Sequence, residues 1–180
     1  MTILKIDSSI TGENSVSRIL TQSIVNQLRA SSPASELIER DLVNQPLDHL
    51  TLAAFADSAV LDEFIDADTV VIGAPMYNFN ISSQLKAWID RIAVAGKTFR
   101  YTENGPEGLA GGKRVIVAVS RGGFYDQGNS FEHVQAYLKP MFNFLGIEPQ
   151  FVFADGIAVG PEQREAGLAS GLAEIERLAA

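Results

Sequence analysis

Residues Asp68–Asp90, DTVVIGAPMYNFNISSQLKAWID, carry the clearest indication of the fold. The β-branched run Val70–Ile72, bounded by an acid and a glycine, predicts a short buried strand. A helix is expected next, because apolar residues recur at i, i+3, i+4 and i+7: Leu85, Trp88, Ile89 and Ile92. The loop between them is too apolar for a solvated connection. It follows a buried strand, where open α/β sheets bind planar ligands, so it is a candidate binding site.

Length and composition are those of a globular protein and exclude several functions. With 180 residues and 46% hydrophobic content, the chain predicts one domain over residues 1–180. The net charge of −8, from 14 basic and 22 acidic residues, is spread along the sequence. This balance argues against nucleic acid and against an anionic membrane surface as partners. Without cysteine, disulfides and thiolate chemistry are excluded.

Neither a signal peptide nor a membrane-spanning segment is visible. Met1 and Thr2 lead directly into an expected strand, and the apolar runs are far shorter than the ~20 residues of a membrane span. We therefore expect a soluble cytoplasmic protein. His49 and His133 are far apart in the sequence with no cysteine nearby, so no metal site is expected.

Strands and helices are expected to alternate along the chain. The expected strands are Thr2–Ile6, Glu36–Arg40, Val70–Ile72, Arg114–Val119 and Gln150–Ala154. Helices are expected at Val16–Arg29, Thr51–Phe64, around Trp88, at Phe131–Leu145 and from Pro161, with an irregular segment at Gly96–Gly112. This alternation predicts an α/β fold: a doubly wound five-stranded parallel sheet of order 2-1-3-4-5 with helices on both faces.

In a sheet of this order, the ligand crevice opens beyond the ends of strands 1, 3 and 4. Three unusual loops lie there: Ser8–Ser17, Pro75–Ser82 and Ser120–Asn129. The first, SSITGENSVS, places several hydroxyls before the N-terminus of a helix, which is typical of a phosphate site. An N-cap by Ser15 alone would explain part of this pattern, but the hydroxyls outnumber what one cap needs. We expect a phosphate here, and the lack of a lysine excludes a nucleotide P-loop.

The loop after the fourth strand combines paired glycines with an arginine. Gly122 and Gly123 allow backbone N–H groups to approach a ligand closely, and Arg121 offers a positive charge. A glycine turn with a surface arginine is an equally good interpretation of these residues alone. Tyr125 is interpreted as a ring packed on the crevice wall rather than as a proton donor.

These motifs resemble the FMN-dependent NADH-azoreductases, which have the flavodoxin-like fold. The similarity lies in PMYNFNISSQLKAWIDRI (Pro75–Ile92), TFRYTENGPEGL (Thr98–Leu109), SRGG (Ser120–Gly123) and FVFADGIAVGPE (Phe151–Glu162). The resemblance implies an FMN-dependent oxidoreductase that passes electron pairs from NADH or NADPH to quinones and azo compounds by a ping-pong route. It also implies a homodimer with a shared active site.

The resemblance assigns the cofactor-binding residues. It implies that the FMN phosphate binds at Ser9, Ser15, Val16 and Ser17. It implies that the isoalloxazine ring binds at Pro75, Met76, Tyr77, Asn78, Phe79, Ser120, Arg121, Gly122 and Gly123. We expect the amides of the glycine pair to stabilise negative charge on the reduced ring. No side chain is expected to act as a catalytic acid or base, because water can protonate the product.

Phe99, Tyr101 and Tyr125 are the candidates for the substrate pocket. The first two lie in Gly96–Gly112, which is long for a loop without a function. In the resembling family, the corresponding aromatic loop reaches over the flavin of the partner subunit. The alternative is that both rings fold back on their own core.

The sequence departs from the family pattern at three places. The segment Asp41–Asp66 is shorter than in many members, which would reshape one wall of the substrate pocket. Ser82 replaces a common proline but is still able to cap the following helix, and Tyr125 replaces a histidine of some relatives. Two other functions remain open: a flavodoxin-type electron carrier without NAD(P)H turnover, and a non-catalytic binding protein on the same fold.

Overall fold

The computed structural model describes residues 1–126 and 128–178. Seven strands occur in chain order: β1 Thr2–Asp7, β2 Glu36–Asp41, β3 Thr69–Pro75, β4 Phe99–Thr102, β5 Gly105–Gly108, β6 Arg114–Ser120 and β7 Gln150–Ala154. Five α-helices lie among these described residues: α1 Val16–Ser31, α2 Ala59–Asp66, α3 Ser83–Ile92, α4 Val134–Phe144 and α5 Pro161–Leu178. None of the described helices is both long enough and apolar enough to cross a membrane.

Five of the strands form one parallel sheet in the order β2-β1-β3-β6-β7. The predicted five-stranded parallel α/β sheet is therefore confirmed. The predicted order, 2-1-3-4-5, needs correction because it omitted two strands of the chain. These are β4 and β5, which pair antiparallel as a separate hairpin inside the segment that was expected to be irregular, Gly96–Gly112.

The central strand β3 is buried along its whole length, and it separates two apolar clusters. Because successive side chains of a strand point to opposite faces, Val70 and Ile72 pack against α2, α3 and α4, whereas Val71 packs against α1 and α5. Each such side chain contributes roughly 1.5–3 kcal/mol by its burial. On the first face, Trp88 of α3 is fully buried and packs edge-on against Phe64, with ring centroids 5.9 Å apart. Helices thus cover both faces of the sheet.

The prediction of a second helix over Thr51–Phe64 is wrong for the first half of that segment. The chain forms a short 3-10 helix at Leu52–Ala56 and then α2, with Asp57 in an extended conformation between them. The carboxylate of Asp57 accepts a hydrogen bond from the amide of Ala59 at 3.1 Å. The apolar spacing before this break does not reflect burial, since Leu52 is 90% exposed.

The fourth expected helix, Phe131–Leu145, begins three residues later than predicted, at Val134. Glu132 sets this start, because its carboxylate accepts hydrogen bonds from the amides of Val134 and Gln135 at 3.1 and 3.0 Å. Phe131 lies outside the helix and is exposed.

The β4-β5 hairpin is fastened to the sheet domain at its base. The Leu109 amide donates to the carbonyl of Thr98 at 2.8 Å, and the Ala110 amide donates to that of Leu145 at 3.0 Å. The Phe99 ring packs on Phe144, with centroids 4.5 Å apart, so this ring folds back on its own core as the alternative reading expected. Tyr101, further along the hairpin, is 74% exposed.

Gly108 gives the hairpin its closest contact with the rest of the molecule. A Cβ added there would lie 2.1 Å from the amide nitrogen of Gly146, at the end of α4. We expect Gly108→Ala to push the hairpin away and to lower the free energy of unfolding by about 1–3 kcal/mol, the usual cost of overpacking. Urea denaturation followed by circular dichroism measures this loss.

Gly111→Ala is the matched control, because its added Cβ would meet the carbonyl oxygen of the same Gly146 at 3.3 Å, a contact that small adjustments relieve. If both variants lowered the free energy of unfolding equally, the close contact at Gly108 would not be what holds the hairpin in place.

Candidate active site

A crevice opens at the carboxyl ends of β1, β3 and β6, where the predicted fold placed it. Its cavity of about 540 Å³ is bounded by the four loops that follow β1, β3, β6 and β7 and by the start of α5. Its lining residues are Ser9, Thr11, Asn14, Ser15, Val16, Pro75, Met76, Tyr77, Ser120, Arg121, Gly122, Ile157, Ala158 and Arg164. The structure therefore brings nine of the thirteen predicted cofactor residues to one cavity. Ser17, Asn78 and Gly123 are chain neighbours of lining residues, and Phe79 lies two positions after the lining residue Tyr77.

A larger concavity of about 780 Å³ lies beside α1 and the edge strand β2. Its walls carry Lys5, Asp7, Arg18 and Asp41, which are paired with one another. Because these charges already satisfy each other, and the predicted loops converge elsewhere, the smaller cavity is the candidate active site.

The serine loop after β1 is buried and rich in hydroxyls at the start of α1. Ser9, Ser15 and Ser17 are all at most 3% exposed. The Ser15 hydroxyl caps α1 by accepting from the Arg18 amide at 3.3 Å, and it lies 3.0 Å from the hydroxyl of Ser17. The N-cap interpretation thus holds for Ser15. The amides of Val16 and Ser17, at the first positions of α1, have no carbonyl partner within the helix and remain as donors for an anion.

Tyr77 joins the loop after β3 to the serine loop. Its hydroxyl lies 3.2 Å from that of Ser9 and accepts a hydrogen bond from the Ile10 amide at 3.1 Å. The Ser9 hydroxyl lies a further 3.1 Å from that of Thr11. A hydroxyl cluster without a carboxylate suits a phosphate, because each hydroxyl can turn its proton toward the anion.

Asn78 and Phe79 form a tight turn in a strained backbone conformation. Their φ angles are 48° and 70°, in the left-handed region, and the flanking residues close the turn through Tyr77 N to Asn80 O at 2.8 Å and Asn80 N to Tyr77 O at 3.0 Å. Two successive positive φ angles define a type I′ turn, which ordinarily requires Asn and Gly. A phenylalanine there costs of order 1–3 kcal/mol, and strain of this kind is concentrated at binding sites. The Phe79 ring is held at the surface against Phe131, with centroids 5.0 Å apart.

The loop after β6 is clamped by the loop after β7. The carbonyls of Arg121, Gly122 and Gly123 accept hydrogen bonds from the amides of Ile157, Ala158 and Gly156 at 3.1, 2.9 and 2.9 Å. The Arg121 amide is engaged as well, since it donates to the carbonyl of Ala154 at 2.9 Å, so the amides of Gly122 and Gly123 are the backbone groups of this loop that are available to a ligand.

The Arg121 side chain does not carry a free charge into the crevice. Its guanidinium forms a two-point ion pair with Asp155, at 2.6 and 2.7 Å, and stacks over the Phe153 ring at 4.5 Å. The Tyr125 ring lies over the same guanidinium at 5.5 Å, a packing position. Arg121, a residue of the cavity wall, thus joins the ends of β6 and β7.

Two functional contacts could not be found from sequence spacing. The Arg18 guanidinium donates to the carbonyl of Ser9 at 2.9 Å while paired with both carboxylate oxygens of Asp41 at 2.8 and 2.9 Å, and so holds the serine loop to β2. Arg164 of α5 lies on the cavity wall and donates to the carbonyl of Asn14 at 2.5 Å. In the sequence, only the position of Arg164 in the first turn of the last expected helix indicates that it could lie near the crevice.

The charged groups beside the serine loop have shifted acidities. The hydrogen-bonded Arg18 guanidinium lowers the pKa of Asp41 to about 2, and amides of the following residues add to this effect. Burial raises the pKa of Asp7 above its usual value, although nearby Lys5, the Thr21 hydroxyl and Arg18 partly oppose this shift.

The phenyl and tyrosyl rings predicted for the substrate pocket are not gathered at one point of this chain. Tyr125 is beside the crevice through its contact with Arg121. Phe99 and Tyr101 lie in the hairpin and are not among the residues that line the cavity. Ser82 caps α3 as expected, with its hydroxyl accepting from the Leu85 amide at 3.1 Å.

A parallel sheet of this order, with a hydroxyl-rich helix start and two unusual loops at its switch point, defines a protein of the flavodoxin-like class. The chain belongs to the Flavodoxin_2 family, described as having the flavodoxin-like fold, which matches residues 1–179.

Named relatives and solved structures agree with this assignment. The chain is 53% identical to FMN-dependent NADH:quinone oxidoreductase 2 of Bradyrhizobium diazoefficiens, over 96% of each chain. It is 48% identical to the FMN-dependent NADH:quinone oxidoreductase of Xanthomonas campestris pv. campestris, over 99% of each chain. The FMN complex of an FMN-dependent NADH-azoreductase from Bacillus anthracis superposes over the full length of both chains with a TM-score of 0.84 and 29% identity. The resemblance found in the sequence motifs is confirmed.

The Asp41 carboxylate contributes stability only while it is ionised. Because its folded-state pKa of about 2 lies below the ordinary 3.8, this contribution is present above pH 3.8 and is lost as the pH falls toward 2. We expect Asp41→Asn to lower the free energy of unfolding near pH 6 by about 1 kcal/mol, after discounting for the solvent exposure of the pair. Urea titrations of both proteins at pH 6 and pH 3 should show this difference shrinking at the lower pH.

Asp48→Asn is the control, because it removes one exposed carboxylate from the same connection. If the wild type and Asp41→Asn differed by the same free energy of unfolding at pH 6 and at pH 3, the role of the Arg18 ion pair would be contradicted.

Proposed function

We propose that this chain is an FMN-dependent NADH:quinone oxidoreductase that also reduces azo compounds. The observation that carries the proposal is the cavity in which a buried serine cluster at the start of α1 faces the strained loop after β3 and the glycine loop after β6. The named relatives at 53% and 48% identity are oxidoreductases of this kind, which favours an enzyme over a flavodoxin-type electron carrier. We propose a single cytoplasmic domain over residues 1–180.

The residues present fit the phosphate end of FMN. The hydroxyls of Ser9, Ser15 and Ser17 are buried, and they pair with other hydroxyls rather than with carboxylates. With the first amides of α1, they would bind the phosphate through charge-assisted hydrogen bonds, worth about 1.5–3 kcal/mol each. The positive end of the α1 dipole favours the same anion.

The flat end of FMN would lie between the loops after β3 and β6. We assign its binding to Pro75, Met76, Tyr77, Asn78, Phe79, Ser120, Arg121, Gly122 and Gly123. The cavity of about 540 Å³ is within the range of small-molecule sites. Arg121 would contribute by packing on the cavity wall, since its guanidinium is paired with Asp155 and its amide donates to the carbonyl of Ala154 at 2.9 Å.

When bound, FMN would supply the redox chemistry between NADH and the acceptor. The chain supplies position and charge stabilisation. The amides of Gly122 and Gly123 would donate to negative charge that develops at the edge of the ring system. The turn at Asn78 would place a polar group beside the reacting face, and Phe79 would shield it from water. Over the whole reaction NADH becomes NAD⁺ and the quinone becomes a hydroquinone: the hydride of NADH accounts for two electrons and one hydrogen, and water provides the second proton.

The decisive test is turnover with a defined quinone. NADH and quinone must use the same cavity in turn, because the crevice is the one place where the predicted loops converge. We expect the visible flavin spectrum of the FMN-loaded protein to bleach with NADH and to return with menadione. Initial rates at several menadione concentrations should give parallel double-reciprocal lines.

Flavin that binds but is not reduced by NADH would indicate the electron carrier instead. A protein that stays colourless with added FMN would indicate a non-catalytic binding protein. Intersecting lines would exclude a single shared site.

We further propose a homodimer in which the hairpin completes the partner's site. Tyr101 and Phe131 are 74% and 56% exposed, and Phe79 is exposed at the crevice. Large exposed rings of this kind are characteristic of protein interfaces. Phe99 anchors the hairpin to its own core through Phe144, which leaves Tyr101 as the ring that can reach another subunit.

Subunit mixing tests this arrangement. One chain carries Tyr101→Ala, and the other carries Ser9→Ala with Ser17→Ala to impair its FMN site. In a two-fold symmetric dimer each heterodimer regenerates about one intact site, so activity should exceed that of either parent preparation. Differently tagged chains, purified through both tags, give the heterodimer for steady-state assay.

Glu103→Ala, at the exposed turn of the same hairpin, replaces Tyr101→Ala in the control mixture. Its own homodimer should be active before it is mixed with the second chain. A fully active monomer in light scattering, or pure heterodimers with no regained activity, would refute the shared site.

A further inference from the structure

Among the residues that the structure describes, none with an acidic side chain lines the candidate active site, although the protein carries a net charge of −8. The charged residues on the described part of its wall are two arginines, Arg121 and Arg164. The first is neutralised by Asp155. The electrostatic character of the cavity therefore depends on the second.

Arg164 is placed at the phosphate end of the cavity. It lies in the first turn of α5, and its guanidinium reaches across to the carbonyl of Asn14, directly before Ser15 and Val16. Its backbone is also fixed, because its amide donates to the carbonyl of Gly160 at 2.9 Å. Among the described residues, no carboxylate lies within ion-pair distance of its guanidinium.

We propose that Arg164 is the cation that binds the phosphate of FMN, reaching the serine loop from the last helix. The serine loop itself offers hydroxyls and helix amides but no positive side chain. A phosphate monoester carries a charge of about −1.5 to −2 at neutral pH. A guanidinium has five N–H donors, so one hydrogen bond to Asn14 leaves others for phosphate oxygens.

The half-buried position of Arg164 favours this role. Contact with a carbonyl oxygen limits where its long side chain can go, so little conformational freedom is left to lose on binding. α5 is further positioned by Gly167, where a Cβ would lie 2.2 Å from the carbonyl oxygen of Asp155. The carboxylate of the same Asp155 pairs with Arg121, so this residue contacts both α5 and the loop after β6.

This inference rests on the proposed function, and it is tested by comparing FMN with riboflavin, which lacks the phosphate. Dissociation constants of both flavins are measured by fluorescence titration for the wild type, Arg164→Gln and Arg164→Lys. We expect Arg164→Gln to weaken FMN binding roughly ten- to one-hundredfold, or about 1.4–2.8 kcal/mol. Riboflavin affinity should stay within about twofold, a small change on the same free-energy scale. Arg164→Lys, which keeps the charge, should recover part of the loss.

Arg177→Gln is the matched control, because it removes the same charge at the opposite end of the same helix. It should leave both affinities unchanged. Salt provides a readout that a structural role would not affect: FMN affinity of the wild type should fall as ionic strength rises, and that of Arg164→Gln should fall less.

The possible results separate the two proposals. Suppose that the wild type binds FMN more tightly than riboflavin, but Arg164→Gln weakens the binding of both flavins equally or of neither. Arg164 then only supports the loop, and the inference is overturned while the proposed function stands. If Arg164→Gln does not fold, Arg164→Lys and the salt dependence of the wild type decide. The inference is overturned if Arg164→Lys binds FMN as tightly as the wild type and if the FMN affinity of the wild type does not change with ionic strength. If the wild type binds FMN no better than riboflavin, the proposed function fails and the inference with it.

Discussion

Burial of β3 on both of its faces is the constraint on which the rest of the molecule depends. Every residue of Thr69–Pro75 is buried, and this strand pairs with β1 on one side and β6 on the other. A strand in that position needs helices above and below it, and its neighbours β1 and β6 run parallel to it. Its carboxyl end then necessarily lies between those of β1 and β6. The crevice is therefore a consequence of how the core is built.

Gly73 shows how closely the core and the site are joined. A Cβ there would lie 3.0 Å from the carboxylate of Asp7, and its carbonyl accepts a hydrogen bond from the buried Ser8 hydroxyl at 2.7 Å. The serine loop thus starts from a point that is already fixed to the central strand. Tyr77 fixes the same loop a second time, through Ser9 and Ile10.

Most charged groups near the crevice hold loops in place. Arg18 joins β2 to the serine loop, and Arg121 joins the ends of β6 and β7. Each is paired with a carboxylate, so neither adds net charge to the cavity. This arrangement fixes the binding groups before a ligand arrives, which reduces the ordering cost of binding. It also distinguishes Arg164, whose charge is not cancelled by such a pair.

The amino-acid sequence by itself determined the sheet class, the buried central strand, the three crevice loops and nine of the residues on the cavity wall. These features follow from local rules, since periodicity, turn chemistry and helix starts involve residues close in the chain. Only the tertiary structure decided which charges are free, because pairs such as Arg121 with Asp155, or Arg164 with Asn14, join residues 34 and 150 positions apart. It also placed the Phe99 ring on Phe144 while leaving Tyr101 exposed, and it formed a hairpin in the segment that the sequence predicted to be irregular. Gly108 and Gly146 meet there at a distance that no sequence pattern encodes, since packing depends on the whole surrounding core.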